Sequence, residues 1–319
     1  MVFKIYNEDC IKWMHQESDN GTLFDLSVFS PPFSSLYTYS NIPNDMGNSK
    51  ESDDEFIMHF KFFTDALYPL IKEGRNVCVH VQNPARSMTN HGYIGIWDMR
   101  GEIIRLFESS GFRYYGESTI WKNPQAQSIR TKTNCLTFTQ FVKDSLKSRP
   151  ALADYLMIFK KGYNSEVPCN GKTRKNQHGG TERIDVTNDD WINWASPIWF
   201  TQEDGIFMPY HTIWEDIKET NTLNQRAART EEDERHLCPL QLDLIERCVR
   251  LWSNEGETVF SPFAGIGSEG YVSLKWNRNF IGTELKPEYH ECAINNCNKA
   301  IEEIEQSKMQ LDLFGGKNG

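Results

Sequence analysis

The sequence predicts an α/β protein with a doubly wound, mostly parallel sheet and an inserted region. Strand-like and helix-like segments alternate at both ends of the 319-residue chain. The strand-like segments are short and almost continuously apolar, as expected for strands buried on both faces. A polar stretch of different composition separates the two alternating regions. Such alternation is typical of one sheet covered by helices on both faces.

The N-terminal region supplies the first alternating elements. Residues 2–6 and 24–29 are predicted strands, and 11–19 is a predicted helix between them. Pro31 and Pro32 stop the second strand, because proline cannot donate a hydrogen bond to a sheet ladder. The next predicted elements are a helix at 53–71, a strand at 76–81, a helix at 99–110, and strands at 113–121 and 155–159.

The remaining chain divides into an insert and a second alternating region. Residues 162–235 show no hydrophobic period, and we interpret them as a separate small domain or an extended insert. Alternation then returns, with strands at 258–260 and 279–283 and helices around them. The predicted organisation is therefore a first half at 1–161, an insert at 162–235, a second half at 236–305 and a flexible tail at 306–319.

Composition narrows the function classes. The net charge is −10, yet residues 122–175 hold 11 Lys/Arg and only 3 Asp/Glu, which suits either a phosphate-contacting surface or a solvated loop region. The eight cysteines show no zinc-ligand spacing, so we expect reduced thiols and no metal. No signal peptide or membrane-length apolar run is evident, which predicts a cytoplasmic protein without a membrane partner.

A glycine-containing turn predicts a nucleotide site. Residues 261–267 follow a predicted strand and open a helix, and Gly265 and Gly267 let a ligand approach the backbone. Glu284 ends the next strand, where a carboxylate can bind ribose hydroxyls. Phe263 can stack on an adenine ring or lie beside a cation. The absence of GxGxxG favours a cofactor without phosphates over NAD; the alternative is a tight turn that only packs a helix.

A second turn carries candidate catalytic groups. Ser30, Pro31, Pro32 and Phe33 directly follow a buried strand, and the two prolines make this turn rigid. The Ser30 hydroxyl and the Pro31 carbonyl can accept the two hydrogens of an amino group, which directs its lone pair at a methyl donor. Phe33 can stack on the base that carries the amine. The alternative is a strand ended by a structural Pro-Pro turn.

These two turns together resemble the motifs of the DNA amino methyltransferases, the N4-cytosine and N6-adenine group. Residues 30–33 match the catalytic motif [D/N/S]-P-P-[Y/F], and residues 261–267 match the cofactor motif D-P-F-x-G-x-G. The order, with the catalytic motif first, is similar to that of the permuted β class. The resemblance covers about 1–161 and 236–305. It implies a Rossmann-like methyltransferase fold, S-adenosyl-L-methionine as cofactor, and a base flipped out of double-stranded DNA as substrate.

The resemblance also implies roles for individual residues. Ser261 departs from the family pattern, because an Asp usually stands there, and this change can alter cofactor affinity. The implied cofactor-binding residues are Asp9, Cys10, Ser30, His236, Pro239, Ser261, Phe263, Ala264, Gly265, Gly267 and Glu284. The implied DNA-binding residues are Trp121 and Lys122 near the flipped base, and the basic Arg130, Lys132, Lys172, Arg174 and Lys175.

The resemblance leaves several alternatives open. Serine at position 30 favours N4 of cytosine, and N6 of adenine is the alternative. An RNA or protein methyltransferase is disfavoured by the motif order, and Ser261 is the feature that fits a non-catalytic DNA-binding subunit. The resemblance does not define the recognition sequence, a homodimer or a restriction endonuclease partner.

Overall fold

The computed structural model contains one central sheet, and its elements follow from the patterns above. Residues are described for 1–32, 53–131, 138–148, 152–175, 179–195, 213–223 and 239–315. The strands are β1 (Phe3–Tyr6), β2 (Phe24–Phe29), β3 (Ile71–Gln82), β4 (Ala85–Arg86), β5 (Gly95–Ile96), β6 (Arg113–Ile120), β7 (Asp154–Lys160), β8 (Thr173–Lys175), β9 (Thr181–Arg183), β10 (Ile213–Trp214), β11 (Thr258–Ser261) and β12 (Asn279–Thr283). The helices are α1 (Cys10–Asp19), α2 (Asp53–Leu67), α3 (Met88–His91), α4 (Met99–Ser109), α5 (Pro124–Thr131), α6 (Phe138–Lys143), α7 (Asn188–Ala195), α8 (Leu242–Trp252), α9 (Ser268–Lys275) and α10 (Pro287–Gly315).

The main sheet confirms the predicted fold class. In the described residues it has eight strands in the order β1-β12-β11-β2-β3-β7-β6-β10. Neighbouring strands are parallel, except that β7 runs antiparallel to both β3 and β6. Helices link most of the parallel strands, as a doubly wound sheet requires. The sheet is therefore mostly parallel with one reversed strand.

The sheet brings the two ends of the chain together. Strand β11 pairs in parallel with β2, with Val259 opposite Leu26 and Phe260 opposite Ser27. Strand β12 lies between β11 and β1. The loops that follow β1, β2, β11 and β12 therefore leave the same edge of the sheet, which is where ligands bind in open α/β sheets.

Each face of the sheet has its own apolar core. One face is rich in aromatic rings: the Phe24 and Phe260 rings stack at 4.5 Å between centroids, and Trp13 of α1 stacks on Phe260 at 5.4 Å. Helix α2 packs there because its buried phenylalanines, Phe56, Phe60 and Phe63, recur at helical spacing. The other core is formed with α8, α9 and α10. The main sheet is therefore buried between two apolar cores.

Several predicted boundaries differ from those of the structure. Helix α2 ends at Leu67 rather than 71, because Pro69 lies in a short 3-10 turn and β3 already begins at Ile71. The predicted tail at 306–319 is helical as far as Gly315, since α10 continues. Within this extension, the Ser307 hydroxyl donates to the Glu303 carbonyl at 2.7 Å.

Described residues of 162–235 pack against the main sheet and helix α8. Strand β10 pairs in parallel with β6 and adds an edge strand, in which Trp214 is buried. The Arg250 guanidinium of α8 donates to the Asp185 carbonyl oxygen at 2.8 Å and to the Asp190 carboxylate of α7 at 2.6 Å. In the described part of the chain, no helix is both long and apolar enough to span a bilayer.

Candidate active site

The two predicted turns lie side by side at the carboxyl edge of the sheet. Ser30 directly follows β2, and the glycine-containing turn directly follows β11, its neighbour in the sheet. Parallel strands place their following loops at one edge, so both turns face the same space. Folding therefore unites two segments from opposite ends of the chain.

The glycine turn has the backbone shape that a ligand-binding loop needs. Gly265 has φ +52°, and a Cβ built there would meet no atom within 4 Å, so the backbone faces open space. Gly267 has φ +84° and caps the N-terminus of α9, and its built Cβ would lie 2.9 Å from the Ala293 Cα. Ala264 is fixed by its N–H, which donates to the Thr283 carbonyl at 2.9 Å. The first glycine therefore leaves room for a ligand, and the second permits close packing of α9 on α10.

Glu284 and the segment after β1 complete this side of the site. One Glu284 carboxylate oxygen accepts the Gly265 N–H at 2.8 Å, and the other accepts the Lys286 N–H at 2.9 Å. The Asn7 side-chain amide donates to the Glu284 and Leu285 carbonyls, at 2.9 and 3.0 Å. Asp9 caps α1 by accepting the Lys12 N–H at 2.9 Å. The structure thus brings together three predicted cofactor residues: Asp9, Gly265 and Glu284.

Other predicted cofactor residues lie around this turn. Cys10 begins α1 and is buried, and burial together with the nearby Asp9 raises the pKa of its thiol well above the usual value. Phe263 is half-buried against Phe29 and Phe63, with ring centroids 5.6 and 5.0 Å away. Pro239 lies just before α8, whereas His236 lies outside the described residues.

The side chain of Ser261 indicates that the site can bind a polar group of a ligand. Its hydroxyl is buried and has no hydrogen-bond partner in the described part of the chain. An unpaired buried hydroxyl costs free energy, which a ligand's polar group would offset. The Gly265 N–H donates to the Glu284 carboxylate, and the space in front of Gly265 is open. These features fit a nucleoside-type cofactor without phosphates.

Glu269 is an unexpected acidic group in this region. It lies in the first turn of α9 and is 4% exposed. Burial, with a smaller contribution from the charge of Glu284, raises the pKa of its carboxyl from 4.5 to about 8, although a hydrogen bond from its own backbone N–H opposes the rise. Glu269 is therefore protonated at neutral pH.

The turn that was predicted to be catalytic contacts His80, a residue that sequence reasoning missed. The Ser30 hydroxyl donates to the His80 carbonyl at 3.1 Å and lies 3.3 Å from the His80 Nδ1. His80 Nε2 lies 3.0 Å from an Asp154 carboxylate oxygen. Pro31 is buried and Pro32 is half-buried, whereas Phe33 lies outside the described residues.

Lys122 belongs to this network and not to an exposed basic surface. Its ammonium lies 2.8 Å from Asp154, and the residue is only 3% exposed. Lys122 therefore holds its charge beside a carboxylate inside the protein, and its predicted contact with DNA near the flipped base stays a prediction. Polar residues in the apolar strand 76–81 and its neighbours, His80 and Asp154, were the available signal for the network.

The other predicted DNA contacts lie on the surface or outside the described residues. Lys172, Arg174 and Lys175 are exposed around the β8–β9 hairpin, where Arg174 pairs with Glu182 at 2.8 Å. Trp121 is 45% exposed. The placements of Lys132 and of the Arg130 side chain are not described. In the described residues, no group of three or more His, Cys, Asp or Glu could hold a metal ion.

Fold and site together define a nucleoside-cofactor enzyme of the doubly wound α/β class. The chain belongs to the N6/N4 DNA methylase family, because the family model described as DNA methylase matches residues 24–295. This confirms the resemblance inferred from the two motifs.

Relatives of known sequence agree with that membership. The chain is 44% identical over 281 residues to the orphan methyltransferase M.BamHII of Bacillus amyloliquefaciens, a match that covers 87% of this chain and 90% of the relative. It is 23% identical over 244 residues to the type II methyltransferase M.MjaI of Methanocaldococcus jannaschii, covering 74% and 68%. A shorter match to M1.MboII of Moraxella bovis is 37% identical over 70 residues and covers 22% of this chain and 25% of that relative.

Solved structures share the fold. TTHA0409 from Thermus thermophilus, described as a putative DNA modification methylase and complexed with S-adenosyl-L-methionine, superposes with a TM-score of 0.62 at 17% identity and covers 94% of both chains. The PvuII DNA methyltransferase, described as cytosine-N4-specific, superposes with a TM-score of 0.59 at 16% identity, covering 93% of this chain and 86% of that one. At these identities the likeness establishes the fold.

Proposed function

We propose that this protein transfers a methyl group from S-adenosyl-L-methionine to the exocyclic amine of a flipped base in double-stranded DNA, with N4 of cytosine as the favoured acceptor. The observation that carries the proposal is the pairing of β11 with β2, which sets the Gly265 turn and Ser30 at one edge. A methyl transfer needs donor and acceptor groups in contact and aligned, and adjacent parallel strands supply that proximity.

One turn of the pair suits the cofactor. When bound, S-adenosyl-L-methionine supplies an electrophilic methyl group on a sulfonium. Glu284 would accept hydrogen bonds from its ribose hydroxyls, Asp9 would lie near its adenine, and Gly265 would let it approach the backbone. The binding of this cofactor by TTHA0409, a protein with the same fold, supports the assignment. The buried Ser261 hydroxyl would make a polar contact with the cofactor in place of the family's usual Asp.

The other turn suits the amine. The hydroxyl hydrogen of Ser30 points inward, toward the His80 carbonyl and ring. Its lone pairs are therefore available to accept one amine N–H, and the Pro31 carbonyl would accept the second. Two such acceptors hold the nitrogen with its lone pair directed at the methyl group. Stacking of the base on Phe33 stays a prediction from the sequence.

The choice of cytosine depends on Ser30, since serine at this position is commoner in the N4-cytosine members that the motif resembles. N6 of adenine is the alternative. The exposed Lys172, Arg174 and Lys175 around the β8–β9 hairpin, with Trp121 and the basic Arg130 and Lys132, are proposed to contact the DNA backbone and bases.

Radiolabel transfer tests the proposal directly. Purified protein with tritiated S-adenosyl-L-methionine should label double-stranded DNA, and mass spectrometry of the digested nucleosides should show N4-methylcytosine. Detection of N6-methyladenine instead would show that adenine, the alternative, is the acceptor base. Label in RNA or protein but not in DNA would overturn the substrate class, and an absence of cofactor binding by calorimetry would favour a non-catalytic subunit.

A serine variant tests the site. Ser30→Ala should lower the methylation rate about 10²–10³-fold, the usual cost of losing one acceptor or donor of this kind. Ser109→Ala is the matched control, because Ser109 ends α4 at the opposite edge of the sheet and its hydroxyl donates to the Leu106 carbonyl at 2.8 Å. Equal rates for the two variants would remove Ser30 from the proposed mechanism.

A further inference from the structure

A continuous line of polar side chains runs inward from Ser30. The Ser30 hydroxyl lies 3.3 Å from His80 Nδ1, and His80 Nε2 lies 3.0 Å from the Asp154 carboxylate. The same carboxylate accepts from the Lys122 ammonium at 2.8 Å and from the Gln82 side-chain amide at 2.7 Å. His80, Asp154 and Lys122 are all buried. The line therefore connects the catalytic turn to a charge pair beneath the sheet edge.

The donors around Asp154 determine where the histidine carries its hydrogen. An ionised carboxylate only accepts hydrogen bonds, so His80 must hold a hydrogen on Nε2 to bond with it. Burial alone would raise the pKa of Asp154, but the hydrogen bonds and electrostatic interactions with His80 and Lys122 lower it below its usual value. Asp154 is therefore ionised, and when His80 carries its only ring hydrogen on Nε2, its Nδ1 lone pair faces Ser30.

A purely structural role does not account for this arrangement. Replacing a buried ion pair by apolar residues is often neutral or stabilising, so burying Lys122 and Asp154 does not by itself favour the fold. The line also ends at the one hydroxyl that the proposed function places against the amine. The Ser30 hydroxyl can turn its hydrogen to the His80 carbonyl at 3.1 Å or to His80 Nδ1 at 3.3 Å, and the carbonyl alone would be enough to hold the serine in position.

We propose that His80, oriented by Asp154 and Lys122, is a positioning residue that fixes Ser30 as an acceptor and receives through it the proton released by the methylated amine. This inference rests on the proposed function. It adds a route for the proton, which the two acceptors Ser30 and Pro31 do not provide.

Methyl transfer moves one proton from the amine, through Ser30, to His80. The amine nitrogen gives its lone pair to the methyl carbon, the carbon–sulfur pair stays on sulfur, and the nitrogen becomes cationic. One N–H bond then breaks with its electron pair left on nitrogen, and the proton binds the Ser30 oxygen as the serine's own proton passes to His80 Nδ1. His80 is left as an imidazolium beside Asp154 and later releases the proton to solvent.

Single-turnover kinetics test the relay. With DNA and cofactor saturating, His80→Asn should lower the methyl-transfer rate about 10²-fold, the usual contribution of a positioned proton acceptor. Asparagine can still accept the Ser30 hydrogen, but it cannot take the proton. His15→Asn is the matched control, because His15 is exposed on α1. Affinities for DNA and cofactor should be unchanged in both variants.

The pH profile separates a relay from a structural role. The groups that face His80 are Asp154, Lys122 and Ser30, and Cys78, two residues earlier on β3, has a thiol pKa raised well above its usual value by burial. The relay needs the lone pair of His80 Nδ1, so the wild-type rate and the His80→Asn rate should depend differently on pH. A His80→Asn rate equal to wild type, or pH profiles of the same shape in the two proteins, would overturn the inference.

Nitrogen NMR gives a reading that does not depend on activity. Long-range ¹H–¹⁵N spectra of the full chain, with the His80 signals assigned by their loss in His80→Asn, should show hydrogen on Nε2 alone at neutral pH. Asp154→Asn should shift the tautomer towards Nδ1–H and slow methyl transfer. A wild-type His80 with hydrogen on Nδ1 would refute the relay. If wild-type protein instead binds cofactor but labels no DNA, the proposed function fails while the tautomer result still stands.

Discussion

Glu269→Gln should stabilise the protein, and the gain should grow as the pH rises. Glu269 is almost fully buried at the start of α9, and burial beside Glu284 raises the pKa of its carboxyl from 4.5 to about 8. The unfolded chain ionises this group at a much lower pH than the folded protein does. Between these two values, each rise in pH therefore favours the unfolded state. Glutamine is similar in shape and never ionises, so it removes this penalty.

The magnitude follows from the two pKa values. Below pH 4.5 the carboxyl is protonated in both states, and the substitution should change the free energy of unfolding little. Above about pH 8 the whole difference of about 3.5 pKa units applies, which corresponds to about 4–5 kcal/mol at about 1.36 kcal/mol per unit. Between pH 5.5 and 8.5, the advantage of Glu269→Gln should grow by about 3 kcal/mol.

Urea unfolding of the cofactor-free protein across this pH range measures the effect. Glu302→Gln is the matched control, since Glu302 is exposed on α10, and it should alter stability by less than about 0.5 kcal/mol. The wild-type and Glu269→Gln curves should converge in acid and separate above neutrality. Parallel curves over the whole range would refute the reasoning, because they would show that Glu269 ionises in the folded protein as readily as in the unfolded chain.

Three further substitutions separate binding from stability. Gly265→Ala meets no atom but strains a backbone with φ +52°, so it should cost about 1 kcal/mol of stability and weaken cofactor binding in calorimetry. Gly267→Ala would place its Cβ 2.9 Å from the Ala293 Cα, so it should lower the free energy of unfolding by about 3 kcal/mol in urea titrations. Arg278→Met should cost about 3 kcal/mol in the same assay, because the fully buried guanidinium that donates to Ser253 and faces Asp185 would be lost. Unchanged cofactor affinity in Gly265→Ala, or wild-type stability in either of the other two, would contradict these assignments.

Local sequence signals were sufficient for the elements with the clearest boundaries. The strands Phe24–Phe29 and Asn279–Thr283 match their predicted limits, because each is an apolar run that a turn signal ends. The predicted helix at 53–71 was too long, because its apolar period continues into residues that the 3-10 turn and β3 occupy. Hydrophobic period alone does not distinguish those states.

The turns of the site could be predicted for a similar reason. Gly265 and Gly267 both adopt positive φ, and Ser30 directly follows its strand, so their chemistry depends on neighbours in sequence. The order of the two motifs along the chain was also enough to indicate the family. The two turns can form one site only because the sheet places β11 next to β2.

The sequence by itself determined the alternating α/β class, the two motif turns and the family to which they belong, because short-range steric and hydrophobic preferences encode each of them. Only the tertiary structure decided that Lys122 is buried, that Glu269 holds its proton at neutral pH, and that His80 and Asp154 line up behind Ser30. The physical reason is that burial and hydrogen-bond partners come from strands distant in sequence. A side chain's charge and its neighbours are properties of the folded sheet that no local pattern carries.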